Sequence, residues 1–288
     1  MQNKNWLIAA MICMSACSTP TGWHPLFNGK DLAGWDTYLG PVYDSLAQRF
    51  DSTRVPGLNQ DRAQVFRVVE VDGQPAIRIS GEAFGGVSTA QELKNFHLQL
   101  QFKWGIKKSN PRKDKKRDSG VLYHAGGPHG ADAGFWMRSQ EFQVQEGDCG
   151  DYWGVAGGSF EVPVSVRGEG YIYDPAGKRM TFNEKSSLGR QVIKMPDSEL
   201  PTGQWNTIDL YCLGDTTVHM MNGQVNMILY HSSRWHDGKL IPLREGKIQL
   251  QSEGAEVYYR QIRWEPITKI ADAILHHKYD PTSGMEFD

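Results

Sequence analysis

The side chains best suited to acid–base chemistry are concentrated at residues 138–148, whose sequence is RSQEFQVQEGD. Alternate residues of a β-strand lie on the same face. We therefore expect Phe142 and Val144 to face the core, and Glu141 and Gln143 to face the other way. A solvated outer face would also be polar, but carboxylates and amides on one sheet face are good partners for sugar hydroxyls. The pattern predicts a sugar site in which Glu141 is catalytic and Gln143 binds the substrate.

A second glutamate, Glu146, follows at a spacing that suggests a glycosidase with two carboxylates. The string Glu141-x-Gln143-x-x-Glu146 resembles the Glu-x-Asp-x-x-Glu strand of laminarinase-type glycosidases, in which a bulge keeps both glutamates in the cleft. On a regular strand the two side chains face opposite ways, so this interpretation requires a bulge. Gln143 replaces the central aspartate, which disfavours a double displacement by two carboxyls about 5 Å apart. Glu146 remains a catalytic candidate for other chemistry.

Further candidates lie on either side of this strand. The run Arg117-Asp118-Ser119-Gly120 leads directly into a predicted strand that ends at Tyr123-His124. His124 is the histidine best placed to act as an acid, a base or a metal ligand. An aromatic ring can stack on the face of a sugar, although core filling explains such rings equally well. We predict that the substrate is also contacted by Arg117, Tyr123, Arg138, Asp148 and Trp153.

The sequence identifies no cofactor. It contains no H-E-x-x-H, G-x-S-x-G, Walker or dinucleotide-binding motif, and no C-x-x-C pair typical of a zinc ribbon or a thioredoxin-like site. A divalent metal held by His124, Glu141 or Glu146 stays open, because the spacing of these residues does not define a ligand set.

The charge balance argues against nucleic acid as a partner. The 288 residues include 31 Lys and Arg against 33 Asp and Glu, which gives a net charge of −2, whereas phosphate binding requires a basic excess. One local exception is the basic segment at Lys107–Arg117, with the sequence KKSNPRKDKKR. We interpret this segment as a solvated hairpin tip; the alternative is a rim that attracts an anionic ligand.

The elements that must position these residues are strands. Two-residue alternation of apolar and polar side chains dominates from residue 64 onward, most clearly at Phe96–Trp104. The dipeptides Asp72-Gly73 and Asn222-Gly223 are strong signals for hairpin turns. Helical periodicity appears only at Ile267–His277. We therefore predict an all-β protein, an antiparallel β-sandwich with a short C-terminal helix.

Two long stretches, 36–62 and 147–200, show no clear pattern. Loops of this size in a compact domain are usually functional, or they contain small elements that periodicity does not reveal. No linker composition interrupts the chain, so we predict a single domain at 23–288. It contains Cys149 and Cys212, which could form a disulfide; two buried free thiols are the favoured interpretation.

The N-terminal residues are expected to be a targeting segment. The apolar run Trp6–Met14 follows a short positive start and is too short to span a bilayer. The string Met14-Ser15-Ala16-Cys17 resembles a bacterial lipobox, which predicts a lipoprotein signal peptide at 1–16 and a tether at 17–22. Cys17 would carry the acyl chains that anchor the protein. The serine after Cys17 favours the outer membrane, with the protein facing the periplasm or the cell surface.

Several strings, taken in order, resemble the 3-keto-disaccharide hydrolase domain family. Each string is weak alone, but their order along the mature chain makes the resemblance specific. They are the opening LFNGKDLAGW at 26–35, RDSGVLYH at 117–124, EFQVQEGDCGD at 141–151, GQWN at 203–206, the MNG hairpin at 221–223 and KIQLQSEGAEVYYRQIR at 247–263.

The resemblance implies a jelly-roll sandwich of the concanavalin A-like kind and cleavage of glycosides whose sugar carries a ketone at C3. A ketone at C3 acidifies the C2 hydrogen, so our hypothesis is elimination across C1–C2, followed by hydration or by release of the unsaturated sugar. This chemistry needs one base, one acid and a stabiliser for the enolate. Glu141 or Glu146 is then the base or a metal ligand, and His124 an acid, a base or a ligand. Gln143 and Arg117 contact the substrate or its oxyanion. The alternatives are a non-catalytic glycan-binding lipoprotein and a glucanase-like glycosidase acting on unmodified sugar.

Overall fold

The computed structural model describes residues 22–277, which form 23 strands and one short helix. The predicted signal peptide at 1–16, the lipidation site Cys17 and nearly all of the tether lie outside the described residues. In chain order the elements are β1 His24–Pro25, β2 Trp35–Leu39, β3 Val42–Asp44, β4 Arg49–Asp51, β5 Gly57–Leu58, β6 Phe66–Val71, β7 Gln74–Ile79, β8 Gly85–Thr89, β9 Leu93–Lys94, β10 Phe96–Lys108, β11 Asp118–Gly126, β12 Arg138–Gln145, β13 Tyr152–Val155, β14 Gly158–Arg167, β15 Gly170–Tyr173, β16 Lys178–Phe182, β17 Gln191–Val192, β18 Asn206–Leu213, β19 Thr216–Met221, β20 Gln224–His236, β21 Lys239–Pro242, β22 Glu245–Ser252, β23 Ala255–Pro266 and α1 Asp272–Leu275.

Two antiparallel sheets contain almost all of these strands. Sheet A runs in the order β15-β14-β20-β19-β18-β10-β23-β7-β6. In addition, β1 pairs with β23, β16 with β14 and β21 with β20. Sheet B runs in the order β17-β13-β12-β11-β22-β8-β2-β5, with β9 paired to β22, while β3 and β4 form a separate hairpin. The core lies between the two sheets, and the architecture confirms the predicted all-β jelly-roll sandwich.

The apolar positions of the alternating pattern in the sequence are the buried positions of the strands. Phe96, Leu98, Leu100 and Phe102 of β10 are fully buried, and Phe142 and Val144 of β12 are buried opposite them in the same apolar cluster. Burial of a large apolar side chain stabilises the fold by about 1.5–3 kcal/mol, so the inward faces of these strands fix the register of both sheets. Every residue on the outward face of β12 is thereby placed as well.

The predicted hairpin turns are confirmed. Asp72 and Gly73 connect β6 to β7, and Asn222 and Gly223 connect β19 to β20. All four residues have positive φ, at 52°, 70°, 51° and 81° in that order. This conformation matches the twist of the flanking strands, and Asn, Asp and Gly adopt it at the lowest cost.

The C-terminal helix is shorter than the predicted Ile267–His277. Only Asp272–Leu275 is helical. The chain before the helix stays extended because the Ile267 amide donates to the Asn95 carbonyl at 2.9 Å, and Ile270 is buried against the core. The apolar spacing thus serves to dock the segment on the sandwich rather than to form one long helix.

The two unpatterned stretches contain short elements. Residues 36–62 include the end of β2 and the strands β3, β4 and β5, and residues 147–200 include β13 to β17. Cys149 and Cys212 are buried free thiols, as the sequence favoured. Within residues 22–277 there is no helix with the length and apolar character to cross a membrane.

Candidate functional site

A polar pocket of about 200 Å³ opens on the outward face of sheet B. The strands β11, β12 and β22 form its floor, and three connecting segments and β13 form its walls. The lining residues are Arg112, Asp118, Asp132, Trp136, Glu141, Gln143, Gln145, Trp153, Val155, Arg190, Gln251 and Glu253.

The floor follows from the alternation of β12. Because Phe142 and Val144 face the core, Glu141, Gln143 and Gln145 project together into the pocket. Glu141 is only 5% exposed and Gln143 only 7%. Both side chains are therefore held in a shielded position where electrostatic interactions are stronger than in water.

Asp118 is the best-bonded carboxylate of the pocket. Gln143 Nε2 donates to its Oδ1 at 3.2 Å, and Gln145 Nε2 donates a short hydrogen bond to its Oδ2. The Arg112 guanidinium pairs with the same carboxylate and lies 3.4 Å from Glu253 Oε1. Arg112 thus bridges two carboxyls that are far apart in the sequence, and Glu141 lines the same pocket.

The carboxyl groups retain protons to unusually high pH. Burial raises the pKa of Glu141 well above its usual value, and Asp118 and Glu253 add to the effect. Burial raises the pKa of Asp118 to about 7, although Arg112 and Gln145 oppose this rise. Burial, reinforced by Asp118, also raises the pKa of Glu253. With a pKa of about 7, Asp118 can donate a proton near neutral pH. The ionised forms of all three groups are stronger bases than ordinary carboxylates.

Two amide oxygens in the pocket are buried without a partner. Gln143 Oε1 and Gln251 Oε1 accept no hydrogen bond from any of residues 22–277. A buried acceptor left unpaired costs about 1–3 kcal/mol, so native sites usually supply a donor from solvent or ligand. Sugar hydroxyls are donors of the right kind.

The opposite wall carries a cation and an aromatic ring. Arg190 Nη1 lies 3.4 Å from Asp132 Oδ1, and the Arg190 guanidinium lies 5.5 Å from the centre of the Trp153 ring. The side chain of Arg190 is 34% exposed, so it can reach a ligand in the pocket. Trp153, predicted to stack on a sugar, does line the pocket.

Three of the predicted site residues, Glu141, Gln143 and Trp153, therefore come together. Glu146 and Arg117 instead pair with each other outside the pocket, with Arg117 Nη1 and Glu146 Oε1 2.8 Å apart. Burial acts to raise the pKa of Glu146, but hydrogen bonds from Thr202 and Arg117 outweigh it and lower that pKa. The catalytic role of Glu146 stays an untested prediction.

The strand itself explains why the two glutamates separate. Residues Gln140–Gln145 pair with Tyr123–Asp118 in uninterrupted register, so β12 has no bulge in this part of its pairing with β11. A regular strand sends Glu141 outward to the pocket and leaves Glu146 beyond its end. Glu141 and Glu146 consequently do not form the paired carboxylates of a laminarinase-type site.

His124 and Tyr123 lie in the interior rather than in the pocket. The Tyr123 hydroxyl is 2.9 Å from His219 Nε2, and the His124 ring packs edge-on against Phe96. Burial lowers the pKa of His124 to about 3, which keeps the imidazole neutral. The predicted roles of both residues in catalysis or binding stay untested, and the geometry gives them no access to the pocket.

Asp148 and Arg138 also lie outside the pocket lining. Asp148 Oδ2 pairs with Lys116 Nζ at 2.7 Å on the surface. Arg138 begins β12 beside Gly126 of β11, on the same strand face as Phe142, so it points away from Glu141. Their contacts with substrate stay untested predictions.

Five charged residues of the pocket, Asp118 among them, were not among the predicted site residues. Arg112 belongs to the basic segment that we interpreted as a solvated tip, and Glu253 follows β22. Asp132 and Arg190 lie in connections without a sequence pattern. Two features of the sequence could have pointed to these residues. One is the alternative interpretation of the basic segment as a rim that attracts an anionic ligand, and the other is the position of Asp118 within the RDSG string. Among residues 22–277, no group of three or more His, Cys, Asp and Glu side chains is arranged to hold a metal ion.

Comparison with known proteins places the chain in a family. A candidate glycosyl hydrolase from Parabacteroides distasonis is 18% identical over 85% of this chain and 94% of its own, with a TM-score of 0.48. The carbohydrate binding module CBM66 from Bacillus subtilis is 9% identical over 81% and 95%, with a TM-score of 0.42. No curated protein matches. A family model matches residues 22–265, so the chain belongs to the 3-keto-alpha-glucoside-1,2-lyase-like domain family.

Proposed function

We propose that this protein is an enzyme that cleaves the glycosidic bond of 3-keto-glycosides by elimination across C1 and C2. The observation that carries the proposal is the shielded Glu141 carboxyl beside two unpartnered amide oxygens, Gln143 Oε1 and Gln251 Oε1. A base and hydroxyl acceptors thus share one pocket of about 200 Å³, which suits a single sugar ring. Membership of the family supports the same substrate class.

The ketone makes this chemistry accessible to a carboxylate. A carbonyl at C3 acidifies the C2 hydrogen, because the electron pair left on C2 delocalises onto the carbonyl oxygen as an enolate. When the enolate collapses, the electrons form the C1–C2 double bond and the C1–O bond to the leaving group breaks. The departing oxygen takes up a proton. Addition of water to the double bond then gives the free 3-keto sugar.

Glu141 is the proposed base. It is the shielded carboxyl that lies beside the two unpartnered amide oxygens, and its raised pKa makes the ionised form more basic than an ordinary glutamate. The pair formed by Asp118 and Glu253 around Arg112 retains a proton near neutral pH and is the proposed source of the proton for the leaving oxygen. Arg190 supplies positive charge for the enolate.

The experiment compares one disaccharide in its 3-keto and unoxidised forms, with and without deuterium at C2. We expect product from the keto form only, with a primary isotope effect from the deuterium because the C2–H bond breaks. Product from both forms without an isotope effect indicates a conventional glycosidase. Binding without any product indicates a glycan-binding protein, and either result overturns the proposal.

We also propose that the protein is tethered to the outer membrane through lipidated Cys17, facing the periplasm or the cell surface. The support is the Met14-Ser15-Ala16-Cys17 string and the serine that follows it. Acyl chains on one cysteine provide the stable anchoring that a single chain does not.

A further inference from the structure

A second pocket of about 270 Å³ lies next to the Glu141 pocket. It is formed by the start of β15, by the residues that precede β17 and by the side of β13. Its lining includes Glu169, Tyr171, Leu188 and Gln191. Tyr171 is half-buried, and its ring packs edge-on against the buried ring of Phe182 with the ring centres 5.2 Å apart. This contact holds the Tyr171 ring in place.

The two pockets share a wall. Trp153 and Arg190 line both of them, and the Arg190 guanidinium lies 5.5 Å from the Trp153 ring centre. A molecule that extends out of the Glu141 pocket past this pair therefore enters the second pocket. The two pockets therefore form one continuous cleft, which Trp153 and Arg190 divide into two parts.

The chemistry of the second pocket suits one more ring. Trp153 and Tyr171 line it with aromatic rings, the kind of side chain that stacks on a sugar, and Leu188 adds apolar surface. Glu169 and Gln191 provide polar groups for hydroxyls. Its volume of about 270 Å³ is at the small end for a ligand pocket, so it fits a group the size of a single sugar rather than a long chain.

We propose that this second pocket is the leaving-group subsite, which binds the ring attached to C1 of the 3-keto sugar. The inference rests on the proposed function, because it places the keto sugar at Glu141. The scissile C1–O bond then lies at the shared wall, beside Arg190. The preferred substrates are glycosides with a ring-shaped leaving group, such as 3-keto-disaccharides, rather than simple alkyl glycosides.

The test measures kcat/KM for a 3-keto-disaccharide and for methyl 3-keto-glucoside, and takes their ratio. We expect the wild type to favour the disaccharide. Tyr171→Ala should lower this ratio about fivefold to tenfold, the loss expected from removing one stacked ring, whereas Tyr171→Phe keeps the ring and the ratio. Glu169→Ala, at an exposed position, tests the same pocket without touching the core and should also lower the ratio.

The matched control is Tyr211→Ala, which removes a half-buried ring stacked on His97 of sheet A and should leave the ratio unchanged. Calorimetry with the unoxidised disaccharide and with methyl glucoside gives a second readout that requires no turnover. Turnover with equal ratios in all variants overturns the subsite alone. Weaker disaccharide binding in Tyr171→Ala, without turnover by the wild type, would show that the second pocket binds a sugar ring, and would overturn the proposed function and with it the leaving-group assignment.

Discussion

A Cβ atom at position 120 would lie 2.2 Å from Glu141 Oε1, so the glutamate occupies the volume that any other side chain at Gly120 would fill. Gly120 pairs with Gln143 across β11 and β12, and its missing side chain opens the floor of the pocket where the carboxylate lies. The same Cβ would lie 2.6 Å from Gln251 Oε1. Position 120 therefore sets the placement of both groups.

Gly120→Ala should accordingly displace Glu141 without unfolding the sandwich, because the atoms that must move are the ends of side chains. A misplacement near 1 Å costs about a hundredfold in rate, and we expect a loss of that order in kcat for a 3-keto-glycoside. The matched control is Gly126→Ala in the same strand, where the added Cβ meets only Arg138 Nη2 at 3.8 Å. Equal activity of the two variants would show that Glu141 is not the base.

Exchanging each glutamate for its amide separates the two catalytic candidates. Glu141→Gln should abolish turnover and raise the melting temperature, because it removes a buried carboxyl that faces Asp118 and Glu253. Glu146→Gln should keep activity and lose about 1 kcal/mol of stability through its ion pair with Arg117. The measurements are steady-state kinetics and thermal unfolding. Loss of turnover in Glu146→Gln alone reverses the assignment.

The face of Glu141 and Gln143 was predictable because strand alternation is a local property that burial of Phe142 and Val144 enforces. The same alternation separates Glu141 from Glu146. The partners Arg112 and Glu253 were not predictable, since residues far apart in sequence meet only through the order of β11 and β22 in sheet B. His124 could not be placed for a different reason. The sequence shows that the side chain can titrate, but its burial results from tertiary packing, including the contact with Phe96.

Membrane attachment is predicted to depend on a single thiol. Cys17→Ser removes the only group in the lipobox-like string that can be acylated, so the protein should move from the membrane fraction to the soluble fraction and lose labelling by a fatty-acid probe. Cys149→Ser, at a buried free thiol, is the control and should leave both readouts unchanged. A Cys17→Ser protein that stays in the membrane fraction contradicts the tether.

Arg112 is predicted to stabilise the fold by neutralising the carboxyls of the pocket. Arg112→Ala leaves Asp118 and Glu253 buried without a cation, which should cost about 3 kcal/mol. Arg112→Lys keeps the charge but not the two-pronged geometry, so its loss should be intermediate. Lys113→Ala, at an exposed position of the same segment, is the control. Denaturant unfolding measures all three, and a similar stability of Arg112→Ala and Lys113→Ala contradicts the bridge.

Buried carboxyls in and beside the pocket should make a contribution to stability that falls as the pH rises. Burial raises the pKa of Asp118 from 3.8 to about 7 and that of Asp151 to about 6, and the pKa values of Glu141 and Glu253 move in the same direction. Between the unfolded and folded pKa values the folded protein binds more protons than the unfolded chain. The contribution of these carboxyls to the free energy of unfolding therefore decreases with pH across this window, by up to about 1.4 kcal/mol for each unit of pKa difference.

Urea unfolding at intervals from pH 4 to pH 7 measures this slope. Asp118→Asn should make the slope less negative, because the amide does not titrate; its single oxygen can still accept a hydrogen bond from Gln143 or Gln145, which donate to different oxygens of the aspartate. Asp72→Asn is the matched control: a hydrogen bond from Lys103 lowers the pKa of Asp72, and Asn suits the positive φ of this turn. That control should keep the wild-type slope. Burial also lowers the pKa of His124 and of His219 to about 3, and these two imidazoles add a positive contribution to the slope, so the test is the difference between Asp118→Asn and the wild type. An Asp118→Asn slope equal to the wild-type slope would mean that Asp118 ionises freely in the folded protein.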